Sequence, residues 1–255
     1  MKRFLVLYPH GLGDCILLTP ALREYYSLAA NKVHIATLER FKSAEFFKSC
    51  PYVDKIFYTK DAWADFPNSQ IGFQELKNEW KEFAAQNGFM GVVMPMHSSL
   101  QNKILINGQY LGIRKFRNFK TEVFTTEEDK QIALKIVNEL VGTSNFGFIQ
   151  TDTGLPAKNL SDGFGKAWLN ENRGLTKFIE IDKDYKALDY TINIQFEIMR
   201  LASGVCLPDS VFYHACHAME KPIDFVYFGR GPEVYERVRP LHKVKENVFY
   251  SLGEK

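Results

Sequence analysis

Phe4-Leu-Val-Leu-Tyr-Pro-His-Gly-Leu-Gly-Asp-Cys-Ile-Leu-Leu-Thr-Pro-Ala-Leu-Arg23 is the stretch on which the fold turns. Its first five residues form a short, continuous apolar run, the pattern of a strand buried on both faces. Pro9, His10, Gly11 and Gly13 then break the run as a tight loop would. Asp14 reads as the N-cap of a helix whose apolar positions Ile16, Leu17, Ala21, Leu22 and Tyr25 recur at helical spacing. A buried strand, a glycine loop and a helix in that order open a parallel α/β sheet.

Outward from this unit the alternation continues. Strands are predicted over 33–37, 55–58 and 91–95, and helices over 44–47 and within the amphipathic stretch 61–87. A strongly periodic helix over 126–140 ends at Gly142, a residue suited to a helix terminus. A second series then begins: strands at 146–150, 178–181, around Val205 and at 223–227, with helices over 192–202 and from Asp209. No element is read from Gly229 onward. Strands separated by helices imply parallel sheets with right-handed crossovers. The expected fold class is therefore α/β with two Rossmann-like lobes, residues 1–142 and 143–255, the second shortened.

Composition is that of an ordinary globular chain: 255 residues, 45% hydrophobic and 24% charged. A net charge of +2 requires neither nucleic acid nor an anionic membrane as partner. The four cysteines, Cys15, Cys50, Cys206 and Cys216, form no CxxC and no framework, as in a reducing cytoplasm. The run from Phe4 to Tyr8 is too short for a signal peptide, and no stretch nears the roughly 20 apolar residues of a membrane span. A cytoplasmic protein with no transmembrane segment is expected.

Three loops at predicted strand ends carry residues fit for chemistry, where parallel sheets collect ligands. In the first, Gly13 would let backbone approach a ligand and Asp14 could accept a proton; a plain turn and helix cap explain the same residues. In the second, Thr151, Thr153 and Lys158 could hold phosphate oxygens, or form a solvated turn. In the third, Asp209, Ser210 and His214 stand at a helix N-terminus, where free N–H groups attract anions; a cap and a packing histidine are the alternative. Cys206, His214, Cys216 and His217 lack paired zinc-ligand spacing, so no metal is expected. Neither a GxSxG nor a sequence-evident base for Cys15 is present.

Taken in order, the three loops resemble glycosyltransferase family 9, the heptosyltransferase-like enzymes of GT-B fold. Gly13-Asp-Cys-Ile-Leu-Leu-Thr-Pro-Ala-Leu-Arg23 is similar to that family's glycine–aspartate loop and its following helix. Thr153-Gly-Leu-Pro-Ala-Lys158 is similar to its second-lobe loop, and Asp209-Ser210, His214 and Lys221-Pro222 to its donor motif. The resemblance implies a nucleotide-sugar bound in the cleft between the lobes and transferred, with inversion, to a hydroxyl acceptor such as a glycan or glycolipid. It implies Asp14 as the general base and Gly13, Thr151, Thr153, Lys158, Asp209, Ser210 and His214 as donor ligands, with no cofactor. Val211, where the family's motif has glycine, keeps open a non-catalytic nucleotide-sugar binding protein. An epimerase or hydrolase is also open; it would draw a second acid/base from His10 or His97.

Overall fold

The computed structural model describes residues 3–61, 69–97, 101–143, 145–153, 156–181, 190–242 and 244–250. By its internal contacts the chain divides into two units, Met1–Phe119 and Lys120–Lys255.

In the first unit, β1 (Phe4–Tyr8), β2 (Val33–Leu38), β3 (Val53–Thr59) and β4 (Gly91–Val93) form one sheet in the order β3-β2-β1-β4. All three pairings are parallel; Leu5 lies opposite His34 on one side and Val92 on the other. Leu5, Val6, Leu7 and Tyr8 are fully buried, which accounts for an apolar run with no alternation. Helices α1 (Leu12–Ala29), α2 (Ser69–Gln86) and α3 (Lys103–Tyr110) complete the unit. Phe73, Leu76 and Ala84 of α2 bury against Leu5, Leu7 and Ala36 of the sheet.

Helix α1 is capped by Gly11, so Asp14 is not the N-cap but lies within the first turn, as does Gly13. The carboxylate there still meets the positive end of the helix dipole. Pro20 sits inside the helix and cannot donate to Ile16 O; the Thr19 hydroxyl donates to that carbonyl instead, at 2.8 Å. The helix expected over 44–47 is a 3-10 turn at Glu39–Ala44 followed by further turns. Strand β4 stops at Val93, two residues before Pro95. The first residues of the stretch expected to start a helix at 61, and the part of the loop beyond His97, lie outside the described residues.

The second unit opens with α4 (Glu127–Leu140), started by a capping box in which Thr126 and Asp129 satisfy each other's backbone N–H groups. Gly142 follows in the left-handed region at φ 65°, as expected of its place past the helix end. A five-stranded parallel sheet runs β6-β5-β7-β8-β9: β5 (Gly147–Gln150), β6 (Phe178–Ile181), β7 (Gly204–Pro208), β8 (Ile223–Phe228) and β9 (Glu246–Tyr250). Between them lie α5 (Phe164–Arg173), α6 (Ile192–Leu201), α7 (Val211–Ala218) and α8 (Pro232–Val238). Of these, α5, α8 and β9 add to the expected elements, as α3 does in the first unit.

The division at residue 119 falls earlier than the expected break at 142. Helix α4 packs on α6. The segment before it is tied to the same helix: Thr125 Oγ1 donates to Glu197 Oε1 at 2.6 Å, and Asn193 Nδ2 to Phe124 O at 3.3 Å. An amphipathic helix goes with the core that covers its apolar face, whatever its place in the sequence.

Each sheet has a point at which chain order reverses. In the first it lies between β1 and β4, and in the second between β5 and β7. The loops leaving such neighbouring strands diverge and open a crevice at their carboxyl ends.

Candidate functional site

In the first unit the reversal point is flanked by the residues after β1 and β4. Lys103, first residue of α3, donates from Nζ to Asp14 Oδ1 at 2.5 Å. The Asp14 and Lys103 side chains are 19% and 21% exposed, so the pair is reachable from solvent. Asp14 Oδ2 lies beside Gly11, where an added Cβ would stand 3.7 Å away. His10 and His97 stack with ring centroids 4.2 Å apart. The His10 Nε2 is 2.7 Å from Pro95 O, an oxygen that only accepts, so Nε2 carries the hydrogen. Asn107 Nδ2 donates to Leu17 O at 3.1 Å, and its Oδ1 lies 3.1 Å from His97 Nε2. Tyr8 joins this network by donating to Asp14 O at 3.0 Å.

The electrostatics follow from this packing. Burial opposes charge on Asp14, but Lys103 first, then His97 and His10, outweigh it and hold its pKa well below the usual carboxylate range. Burial lowers the pKa of His10, and burial with the neighbouring His10 lowers that of His97 to about 3. At neutral pH the cluster is a carboxylate, an ammonium and two uncharged imidazoles. His10, Asp14 and His97 each bring a possible metal-ligating atom within 4.8 Å of the others, although the Lys103 ammonium already neutralises the carboxylate.

In the second unit the loops after β5, β7 and β8 meet. Lys158 ends a 3-10 turn (Pro156–Lys158) and reaches Asp209 twice, at 2.8 Å to Oδ2 and 3.1 Å to the main-chain oxygen. Arg230 Nη2 donates to the same Oδ2 at 3.0 Å. Burial alone would raise the Asp209 pKa; Lys158, His214 and Arg230 together bring it below normal. Ser210 caps α7 by accepting from Phe212 N at 3.2 Å, and Val211 is the first helical residue. Gly229 sits where a Cβ would come within 1.9 Å of Ala157 O, so only glycine lets β8 seat against the turn that carries Lys158.

The structure thus gathers Lys158, Asp209, Ser210 and His214, the last buried in α7. Thr151 and Thr153 line the preceding loop. The Thr153 N–H and hydroxyl both donate to Asn159 Oδ1, which closes that loop, and Thr151 O accepts from Leu160 N. Gly154 and Leu155 lie outside the described residues. Lys103, Arg230, Asn107 and Tyr8 were not singled out from sequence. Asn102 before Lys103-Ile-Leu-Ile106 was a readable N-cap signal, and its side chain does accept from Ile104 N. All four cysteines are buried and outside any disulfide; burial pushes Cys206 up to about 12 and Cys15 and Cys216 higher, so none of these three is a ready nucleophile. Cys216 Sγ contacts Met199 Sδ at 3.3 Å.

No protein-family model matches the chain, and no curated protein matches it in sequence. Solved structures do match in fold. A glycosyl transferase family 9 structure from Veillonella parvula DSM 2008 superposes with a TM-score of 0.65 at 14% identity, over 100% of this chain and 88% of that one. An E. coli ADP-heptose LPS heptosyltransferase II gives 0.65 at 12% identity, covering 97% and 90%. The E. coli heptosyltransferase WaaC solved with ADP gives 0.58 at 12% identity, covering 99% and 94%. Among the described residues no helix is long and apolar enough to cross a membrane. The chain therefore has two parallel-sheet α/β units and shares the fold of glycosyltransferase family 9 and heptosyltransferase structures.

Proposed function

We propose that the chain is a glycosyltransferase that moves a sugar, with inversion, from a nucleotide-sugar donor to a hydroxyl acceptor. The observation that carries this reading is the placement of two charged clusters, each at the order-reversal point of its own parallel sheet. Asp14, ionised at neutral pH, takes the proton of the acceptor hydroxyl. The acceptor oxygen then bonds to the anomeric carbon as the bond to the diphosphate breaks, which inverts the centre. Lys158 and the N–H groups at the start of α7 stabilise the charge on the departing nucleoside diphosphate, a task that needs no metal.

Turnover of Asp14→Asn tests the assignment. General-base catalysis accounts for about 10²–10⁴-fold in rate, so turnover falls by that factor while nucleotide binding persists. One observation favours a binding protein without transfer: Lys103 lowers the basicity of Asp14, and a weaker base gains less from proton transfer. On that reading Asp14→Asn changes nothing, and donor is bound but never consumed.

A further inference from the structure

We propose that Arg230 is a second cationic ligand for a diphosphate group in the second unit, with Asp209 serving to hold it and Lys158 in place. The inference rests on the donor-site reading above and names the grip that site uses.

Asp209 is 5% exposed, and its Oδ2 accepts from both Lys158 and Arg230. A carboxylate so placed repels phosphate rather than binding it, so its role is that of a counter-ion. Lys158 is 13% and Arg230 42% exposed in their side chains, so Arg230 is the group that can swing toward a ligand while staying anchored. A guanidinium has five donors in a planar fork, and among the described residues Asp209 is its charged partner. The two cations share one carboxylate oxygen at the strand ends, and the N–H groups opening α7 start two residues beyond it.

Backbone geometry couples the two cations. Gly229 packs beneath Ala157, next to Lys158, and Gly231 follows Arg230 in the left-handed region at φ 85°. The loop after β8 is therefore fixed against the loop after β5, with its cation pointing to the shared carboxylate. Two cations held by one buried group suit two linked phosphates better than one.

Titration calorimetry with inorganic pyrophosphate, ADP, UDP, GDP, CDP, dTDP and AMP tests this on wild type, Arg230→Gln, Arg230→Lys and Lys158→Met. Arg230→Gln should weaken pyrophosphate and the best diphosphate by about 10- to 100-fold, the worth of one charged hydrogen bond. The AMP-type monophosphate should lose less, and Arg230→Lys should fall between. Unchanged diphosphate affinity in Arg230→Gln, with binding lost in Lys158→Met, overturns the role of Arg230 and leaves the donor site standing. Failure of every diphosphate to bind wild type overturns both. Should Arg230→Gln fold poorly, phenylglyoxal labelling of wild type decides: pyrophosphate slows modification at Arg230, and an unchanged rate overturns the proposal.

Discussion

The two units solve one problem in two ways. Each places an aspartate and a lysine at the carboxyl end of a parallel sheet, where chain order reverses. Around Asp14 the remaining groups are uncharged imidazoles, and one lysine balances one carboxylate. Around Asp209 a second cation is added, and both pair with the same carboxylate oxygen. The third charged residue, Arg230, is what distinguishes the second cluster from the first.

The largest expected effects break the comparison at one end. Beyond the turnover loss in Asp14→Asn, Gly229→Ala should be the most damaging single change in the second unit. Its Cβ would sit 1.9 Å from a main-chain oxygen, and the loop carrying Lys158 must move. A loss of about 3 kcal/mol by urea denaturation, with weakened pyrophosphate binding, is expected; near-wild-type values would show the two loops to be independent.

Acid sharpens the comparison from the other side. His10 and His97 have lowered pKa values in the fold, so the unfolded chain binds more protons and stability falls as pH drops below about 6.5. Between pH 6.5 and 5.5 the two imidazoles together cost up to about 2 kcal/mol. The aspartates act only later, since a depressed carboxylate pKa stabilises above about 3.9 and is lost below it. Hydrogen exchange across this range should show the first unit loosening first; loss starting in the second would refute the assignment of neutral imidazoles.

The smallest effect checks the boundary. Thr126→Ala removes one half of the capping box and should cost about 1 kcal/mol. Exchange should quicken in α4 and α6 and not in the first sheet, because α4 belongs with the second unit.

What sequence could reveal followed from local pattern. β1, β2, β5, β7 and β8 were legible because their short apolar runs end at proline, glycine or polar turns. Helix α3 was not, since Lys103-Ile-Leu-Ile-Asn-Gly-Gln-Tyr110 carries a central glycine and little amphipathic contrast. Gly108 is there because Phe116 packs within 2.4 Å of where its Cβ would be, a contact between segments. Helix α5 is bracketed by left-handed Gly163 and Gly174, so glycines mark both of its ends in the sequence. The site divides the same way. Asp14, Lys158 and Asp209 stand beside strand ends and could be picked out by position. Lys103 and Arg230 matter through partners distant in the chain, and no local period announces such a pairing.

The burial of every native thiol has a practical consequence. A cysteine introduced at Leu28, 71% exposed in the first unit, or at Leu140, 54% exposed in the second, would meet no competing surface sulfhydryl. Dyes attached at both would make the chain its own ruler, reporting by energy transfer whether the two units move when a nucleotide binds.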